Sequence, residues 1–225
     1  MSKNVLLIVT SHAQLGDTGR QTGLYLSEFA HPYEVFSQAG FGITVASPQG
    51  GDAPVDPKSL SDELQPYVQY TRNTLPLNQI RPEKFDAFFV VGGHGTMWDL
   101  PGNADLQRIL PLALSQGKAL AAVCHGPAAL VRLKNPDGGF LIQGKRVAGF
   151  SNAEEHAAQL SQVMPFLLED ELKRAGGLYQ SAPVWQAKVA IDGQLVTGQN
   201  PASARGVAEA IVELVNNGSI LKKSA

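Results

Sequence analysis

The sequence predicts an α/β fold: a doubly wound, mostly parallel β-sheet with helices on both faces and a small antiparallel hairpin addition. Two observations predict it. Short apolar runs bounded by Gly, Pro, Asn or Ser recur along the chain without strict alternation, which is typical of strands buried on both faces. Helix-length segments with amphipathic spacing separate these runs, and strands that alternate with helices favour right-handed crossovers and a parallel sheet.

Five apolar runs have the length of β-strands, and two amphipathic segments lie between them. Residues 22–38 predict the first helix, in which Pro32 predicts a kink or two helical pieces. Residues 104–116 predict the second helix, with Gly117 as its C-terminal stop. The predicted strands are residues 4–10, 41–47, 85–91, 119–124 and 146–150.

The C-terminal part of the chain predicts a hairpin and one long helix. Residues 188–191 and 194–197 flank an Asp-Gly pair that is typical of a type I′ turn, so we expect an antiparallel hairpin. Residues 200–218 predict the helix, because an Asn-Pro pair supplies its N-cap and first position and a glycine ends it. Residues 48–81 are rich in proline and lack periodicity, and we expect them to form a flap or loop over a site.

Length and composition narrow the class of protein. A chain of 225 residues without repeats or a linker predicts a single domain, residues 1–225. The net charge of −2 excludes a nucleic-acid or anionic-membrane surface and indicates a small-molecule partner. Cys124 is the one cysteine, so we expect no intrachain disulfide or cysteine-cluster metal site, and a free thiol suits a reducing cytosol. Because no secretory leader or apolar run of about 18 residues is recognised, we expect a cytoplasmic protein.

The most informative segment is residues 119–130, ALAAVCHGPAAL. An apolar strand runs into Cys124 and then at once into a Gly-Pro pair and a helix-forming stretch, which predicts a strand-to-helix elbow. Such an elbow presents Cys124 at the carboxyl end of the sheet, where open α/β folds bind ligands. We expect the N-terminus of the following helix to lower the pKa of the thiol and to hold an oxyanion. The alternative is a small buried apolar side chain, the commonest role of a free cysteine.

A second buried strand ends in the glycine-rich loop Gly92-Gly93-His94-Gly95. Glycines let the backbone approach a ligand closely and direct N–H groups inward. The loop has neither the Walker pattern nor the spacing of a dinucleotide-binding loop, so it does not indicate a nucleotide. A tight turn without function is the alternative, but a cysteine and a glycine loop at neighbouring strand ends together indicate a reactive site.

Three motifs resemble the DJ-1/ThiJ/PfpI superfamily, and within it the Hsp31-like branch of glutathione-independent glyoxalases. They are AAVCHGP at residues 121–127, GGHGT at 92–96 with WDLP at 98–101, and TGQNPAS at 197–203. The resemblance implies a flavodoxin-like fold related to class I glutamine amidotransferases, a homodimer, and a small aldehyde as substrate. It also implies a reaction that needs no cofactor and no metal.

The same resemblance implies, by position, a set of site residues. The side chains are Cys124 as nucleophile, His125 beside it, Glu28 as the acidic partner of the thiol, and Glu155 as the acid that pairs with His125, with Glu154 as the alternative. The backbone N–H groups of Gly93 and His125 would hold the oxyanion. Residues 48–81 match no pattern of the branch, which leaves substrate preference open.

Physical arguments agree with these roles without forcing them. A carboxyl on the apolar face of a helix has a raised pKa, which would make Glu28 a proton shuttle near neutrality; a solvated surface glutamate is the alternative. Adjacent side chains usually diverge, so His125 either contacts the thiol or only supports the site.

The Glu28-x-x-His31 spacing is a weak metal signal that Pro32 disturbs. Trp98 and Trp185 are candidates for the wall of a pocket or for core packing.

The resemblance therefore implies a glyoxalase that converts methylglyoxal, or a similar 2-oxoaldehyde, to D-lactate, and the site residues are consistent with a hemithioacetal on Cys124. Three other functions remain open at this point. A cysteine-dependent amidase, peptidase or protein deglycase of the PfpI type would use the same thiol. A holdase chaperone would need an exposed apolar patch, and a redox sensor would use the oxidation of the thiol itself.

Overall fold

A computed structural model describes residues 3–217 of the chain. The strands are β1 (Asn4–Ile8), β2 (Gly42–Ser47), β3 (Leu75–Pro76), β4 (Ala87–Val90), β5 (Ala119–Val123), β6 (Arg146–Val147), β7 (Leu178–Tyr179), β8 (Val189–Asp192) and β9 (Leu195–Gly198). The helices are α1 (Leu26–Gln38), α2 (Thr96–Asp99), α3 (Ala104–Ser115), α4 (Asn152–Ala157), α5 (Leu168–Arg174) and α6 (Ala204–Asn217).

Seven strands form one sheet in the order β3-β2-β1-β4-β5-β9-β8. All neighbours in it are parallel except β8 and β9, which form the antiparallel hairpin. The predicted α/β fold, with its mostly parallel sheet and hairpin addition, is confirmed. Over residues 3–217, none of the helices combines the length and the apolar character that crossing a bilayer requires.

The central strands are buried on both sides, which explains why their sequences do not alternate. β4 and β5 consist of buried residues throughout, because α6 packs against both strands and α3 packs against β5. α1 packs against α6 and β2. Since the parallel strands end at one edge of the sheet, the loops that follow β4 and β5 lie side by side there.

The first helix begins at Leu26 rather than at residue 22, and it is one helix rather than two pieces. The segment at 22–25 is extended, because Leu24 donates its N–H to the carbonyl of Pro54 and accepts from the N–H of Asp56. α1 then runs without a break through Pro32. A proline inside a helix removes the hydrogen bond to the carbonyl four residues earlier, and the buried face of α1 holds the helix together across that loss.

Two further boundaries differ from the prediction. The run at 146–150 does not join the main sheet: only β6 is a strand, and it pairs with β7 in a separate two-stranded sheet. In the hairpin, Asp192 pairs with Leu195, so the turn residues are Gly193 and Gln194, one residue later than predicted. Gly193 has φ +60 while Gln194 is not left-handed, which is the pattern of a type II′ turn rather than I′. Gly218, the predicted end of the last helix, lies outside the described residues.

Candidate active site

The chain makes a sharp bend at Cys124, directly after β5. Cys124 has φ +59, a left-handed conformation that costs a non-glycine residue of the order of 1 kcal/mol or more. Its neighbours hold this conformation: the N–H of Cys124 donates to the carbonyl of Gly198 at 2.9 Å, and its carbonyl accepts from the N–H of Phe150 at 2.8 Å. A 3₁₀ turn, Gly126–Ala129, follows. The predicted elbow is therefore present, with its backbone fixed on both sides.

The Cys124 side chain lines a cavity of about 200 Å³, although the residue is only 4% exposed. Burial raises the pKa of the thiol well above its usual value, and the nearby Glu28 acts in the same direction. The N–H of His125 faces the sulfur and lowers the pKa by less. The pKa thus moves in the direction opposite to the expectation, because burial and Glu28 together outweigh the His125 N–H. The resting sulfur holds its proton.

His125 faces the thiol and a carboxylate at the same time. Its Nδ1 lies 3.3 Å from Sγ of Cys124, and its Nε2 lies 2.7 Å from Oε2 of Glu155. Burial lowers the pKa of His125, so the imidazole is neutral. Because ionised Glu155 only accepts, Nε2 carries the ring proton and Nδ1 presents a lone pair to the thiol. The left-handed backbone at Cys124 explains why adjacent side chains converge instead of alternating.

Glu155, not Glu154, pairs with the histidine. Ser151 and Glu154 form a capping box at the start of α4, and Glu154 also accepts from the Trp185 N–H at 3.1 Å and the Asn200 side chain at 2.8 Å. These bonds occupy Glu154 and leave Glu155 to face the site. Although burial alone would raise the pKa of Glu155, the imidazoles beside it hold that pKa well below its usual range.

A second histidine contacts the same carboxylate, and it was not among the predicted side chains. His94 places its Nε2 3.0 Å from Oε1 of Glu155, and its ring centroid lies 4.2 Å from that of His125. Its side chain is 16% exposed and lines the cavity. The sequence feature that could have identified His94 was its position inside the glycine loop. That loop follows the strand next to the one that ends at Cys124.

Glu28 lies on the other side of the thiol, in the first turn of α1. It is completely buried, and within residues 3–217 neither carboxyl oxygen has a hydrogen-bond partner of good geometry. Burial raises the pKa of Glu28 to about 8, while the Cys124 side chain and the Gly92 N–H lower it by less. The direction agrees with the expectation of a carboxyl that exchanges protons near neutrality.

The glycine loop approaches both of these groups too closely for any larger residue. A Cβ on Gly92 would overlap the carboxyl of Glu28 and lie 2.9 Å from Cβ of Cys124, closer than real Cβ atoms approach. Gly93 has φ +107. The N–H of Gly93 finds no acceptor in the described part of the chain, and Gly93 and His125 both line the cavity. Two residues that line the cavity with Cys124 thus carry backbone N–H groups that could serve as donors there.

We expect Gly92→Ala to disturb this spacing. The new Cβ must displace backbone or the Glu28 carboxyl, so the variant should lose roughly 1–3 kcal/mol of unfolding free energy and most of its turnover. Thermal unfolding and steady-state kinetics measure both losses. Gly206→Ala is the control, because its Cβ would lie 3.5 Å from Val189, an ordinary contact. Equal behaviour of the two variants would contradict the expectation.

The aromatic residues divide between the cavity and other packing. Trp185 is 52% exposed, lines the cavity, and lies with its ring centroid 5.7 Å from that of Phe150. The ring centroid of Phe150 lies 4.4 Å from that of His125, with the two rings tilted by 35°. Trp98 instead stacks on His12, at 5.0 Å. Tyr25, which the sequence analysis did not single out, also lines the cavity.

The metal-ligand atoms of His94, His125 and Glu155 lie within 4.8 Å of one another. They are the residues that could hold a cation, while His31 does not line the cavity. Two ligands of a tetrahedral zinc with bonds of about 2.0 Å are separated by about 3.3 Å. The two imidazoles instead lie 2.7 and 3.0 Å from the carboxylate, which are hydrogen-bond distances. The set is arranged as a hydrogen-bonded relay rather than as a metal cage.

The fold and the site together define a class: an α/β protein with a cysteine at a strand-to-helix elbow, a histidine–glutamate pair on one side of the thiol and a buried glutamate on the other. The sequence matches the DJ-1/PfpI family over residues 21–214. The chain belongs to this family, and the resemblance that the motifs indicated is confirmed.

Similar proteins agree with the branch that the motifs indicated. The chain is 31% identical to the protein named Glutathione-independent glyoxalase HSP31 of Saccharomyces cerevisiae, over 96% of this chain and 99% of the relative. The crystal structure of glyoxalase III from Candida albicans matches with a TM-score of 0.86 at 31% identity, over 93% of this chain and 96% of that one. The X-ray structure of Rapid Encystment Protein 24 KDa from Francisella tularensis matches with a TM-score of 0.89 at 38% identity, over 95% and 99%.

Proposed function

We propose that this protein is a glutathione-independent glyoxalase that converts methylglyoxal, or a similar 2-oxoaldehyde, to D-lactate or the corresponding 2-hydroxy acid. One observation carries the proposal: the Cys124 thiol lies between the lone pair of a neutral imidazole and a buried carboxyl with a pKa of about 8. The names of the relatives support the reaction class. The single domain (residues 1–225), the homodimer and the cytoplasmic location belong to the same proposal.

The first step is addition of sulfur to the aldehyde carbon. As the S–C bond forms, the thiol proton passes to Nδ1 of His125, 3.3 Å away, and Glu155 stabilises the imidazolium. This transfer removes the need for a resting thiolate, which burial disfavours. The N–H groups of Gly93 and His125 stabilise the negative charge that develops on the aldehyde oxygen. Return of the proton to that oxygen gives a neutral hemithioacetal.

The second step moves one hydrogen from C1 to C2. Ionised Glu28 removes the C1 proton, and the electron pair forms an enediol with the neighbouring carbonyl as that oxygen takes a proton from a solvent water, which later accepts the C1 hydroxyl proton in return. The protonated Glu28 returns the proton to C2, and loss of the C1 hydroxyl proton gives a thioester. Water then cleaves the thioester to a 2-hydroxy acid and free Cys124. The net change is addition of one water, so the reaction consumes no oxidant, reductant or cofactor.

Stereospecific product analysis tests this proposal. Wild-type protein is incubated with methylglyoxal without glutathione, and the product is measured with D- and L-specific lactate dehydrogenases in parallel. We expect D-lactate in amounts equal to the aldehyde consumed, and the same result after dialysis against a chelator. Loss of aldehyde without any lactate would contradict the proposal, since simple adduct formation on lysines or arginines consumes the aldehyde without releasing a hydroxy acid.

His94 acts in this scheme as a positioning residue. Its bond to Oε1 fixes Glu155 so that Oε2 faces His125, and its proximity lowers the pKa of His125. We expect His94→Ala to reduce kcat roughly tenfold and to raise the pKa of His125, because the influence of His94 that lowers this pKa and its hydrogen bond to Glu155 are both lost. The part of the kcat/KM profile in which His125 titrates, at lower pH than the limb of Glu28, should therefore move to higher pH.

His94→Gln provides the matched comparison, because its side-chain amide can still donate to Glu155. We expect it to recover part of the kcat that His94→Ala loses. A purely structural role for His94 would lower the activity of both variants without moving the pH limb, and that result would overturn the assignment.

A further inference from the structure

The cavity beside Cys124 is larger than a three-carbon oxoaldehyde requires. Its volume is about 200 Å³. One water occupies about 30 Å³ in the liquid, so the space holds at least about six water-sized groups. Methylglyoxal has only three carbons and two oxygens. A substrate with an additional substituent would fill the cavity better and exclude more water from the reacting centre.

Two cationic side chains line the same cavity. Arg20 comes from the loop that follows β1, and Lys58 comes from a 3₁₀ turn in residues 48–81, the segment that was expected to form a flap or loop over a site. Both residues are exposed, which places their side chains at the open end, while Cys124 and His125 are buried. Neither the guanidinium of Arg20 nor the ammonium of Lys58 forms a hydrogen bond or ion pair with any residue from 3 to 217.

The acidic residues of the cavity do not neutralise these cations. Asp56 is buried, with one carboxylate oxygen 2.9 Å from the Lys58 backbone N and the other 2.9 Å from the Thr22 hydroxyl. Both oxygens of Glu155 accept from imidazoles. Glu28 is buried, and at neutral pH its carboxyl is mostly uncharged because its pKa is about 8. The open end therefore presents two positive charges that have no partner among residues 3–217. The acids lie deeper: Asp56 and Glu155 already accept hydrogen bonds, and Glu28 is mostly uncharged.

We propose that the preferred substrates are 2-oxoaldehydes that carry an anionic group, which Arg20 and Lys58 bind at the open end while the aldehyde reaches Cys124. This inference rests on the proposed function, since it assumes the same addition to the thiol. The anionic group takes no part in bond making, so the net reaction remains addition of one water. Residues 48–81 acquire a role in substrate choice through Lys58.

A pair of probes of similar length tests the inference. 4,5-Dioxopentanoate is a 2-oxoaldehyde with a carboxylate, and 2-oxopentanal is a neutral counterpart; the products are 2-hydroxyglutarate and 2-hydroxypentanoate. We expect wild-type kcat/KM to be roughly tenfold higher for the anionic probe at low ionic strength. The preference should shrink as salt is added, because salt screens exposed charges.

Arg20→Gln and Lys58→Gln should each reduce the anionic-to-neutral ratio of kcat/KM by about two- to fivefold, as expected for exposed charge pairs, and the double variant by more. Arg72→Gln removes one charge from the same segment without lining the cavity, and it should leave the ratio unchanged. An equal ratio in wild type and double variant would overturn the inference. Failure to convert either probe while methylglyoxal still gives D-lactate would also overturn the inference, whereas failure with all three aldehydes would overturn the proposed function.

Discussion

Cys124→Ala is expected to abolish conversion of methylglyoxal, with kcat reduced at least about 10⁴-fold. The cost is large because the sulfur forms the covalent bond on which the later steps depend, and removal of a nucleophile from such a unit removes most of the rate enhancement. Cys124→Ser should recover little, since a hydroxyl is far less acidic than a thiol. D-lactate formation over several hours gives the range needed to measure so large a loss.

Two controls separate this loss from misfolding. Residue 124 keeps its left-handed backbone through the bonds to Gly198 and Phe150, which any side chain leaves in place, so both variants should unfold within a few degrees of wild type. Because Cys124 is the one cysteine in the chain, iodoacetamide should inactivate the wild type at one label per chain. Turnover by Cys124→Ser at the wild-type rate would exclude the covalent route.

The fold was predictable because the patterns that indicate it lie within short stretches of sequence. The apolar runs of β4 and β5 and the glycine and proline residues after them mark both loops of the site without any knowledge of distant contacts. The extended stretch at 22–25 was not predictable in this way, because it depends on hydrogen bonds with Pro54 and Asp56. The conformation of residues 48–81 could not be predicted for the same reason. These residues have little regular structure, and contacts with distant residues determine where they lie.

In the candidate site, too, some features were predictable from local sequence, whereas others depend on contacts between distant residues. The pattern Ser151-x-x-Glu154 is a capping box, so the sequence already contained the reason why Glu155 and not Glu154 turns towards His125. The shared contact of His94 with Glu155 joins positions 61 apart in the chain, and no local pattern indicates it. The pKa of the Cys124 thiol was misjudged because burial, which decides its direction, is a property of the assembled fold.

Glu28→Gln is expected to lower kcat by about 10²–10⁴-fold, the contribution of a general acid–base group, while the hemithioacetal still forms.

The dependence of kcat/KM on pH in the wild type should show the titration of Glu28. Since the carboxylate form removes the C1 proton and the pKa of Glu28 is about 8, kcat/KM should rise with pH and level off above about 8. The limb reports the coupled pair of Glu28 and Cys124 rather than one residue alone. Residual activity of Glu28→Gln should lack this limb.

The same substitution should stabilise the fold, with a pH dependence of definite sign. The pKa of Glu28 is raised from 4.5 to about 8 by folding, so between these values the native state keeps a proton that the unfolded chain releases. The stability associated with protonated Glu28 is fully present below about pH 4.5 and is lost as the pH rises through 8. Glutamine has no proton to lose, so Glu28→Gln should gain unfolding free energy relative to wild type, of the order of 3 kcal/mol between pH 4.5 and 7.

Denaturant unfolding of both proteins at pH 5 and pH 7.5 measures this difference, with Glu209→Gln, an exposed position on α6, as the control that should show none. The two readouts of Glu28→Gln are opposed, because activity falls while stability rises. Glu28 is buried beside the thiol without a hydrogen-bond partner of good geometry among residues 3–217, which costs the fold stability. The same burial raises its pKa to the range in which it can exchange protons. If the variant lost activity without gaining stability at pH 7.5, Glu28 would not be the buried, proton-holding group that the mechanism needs.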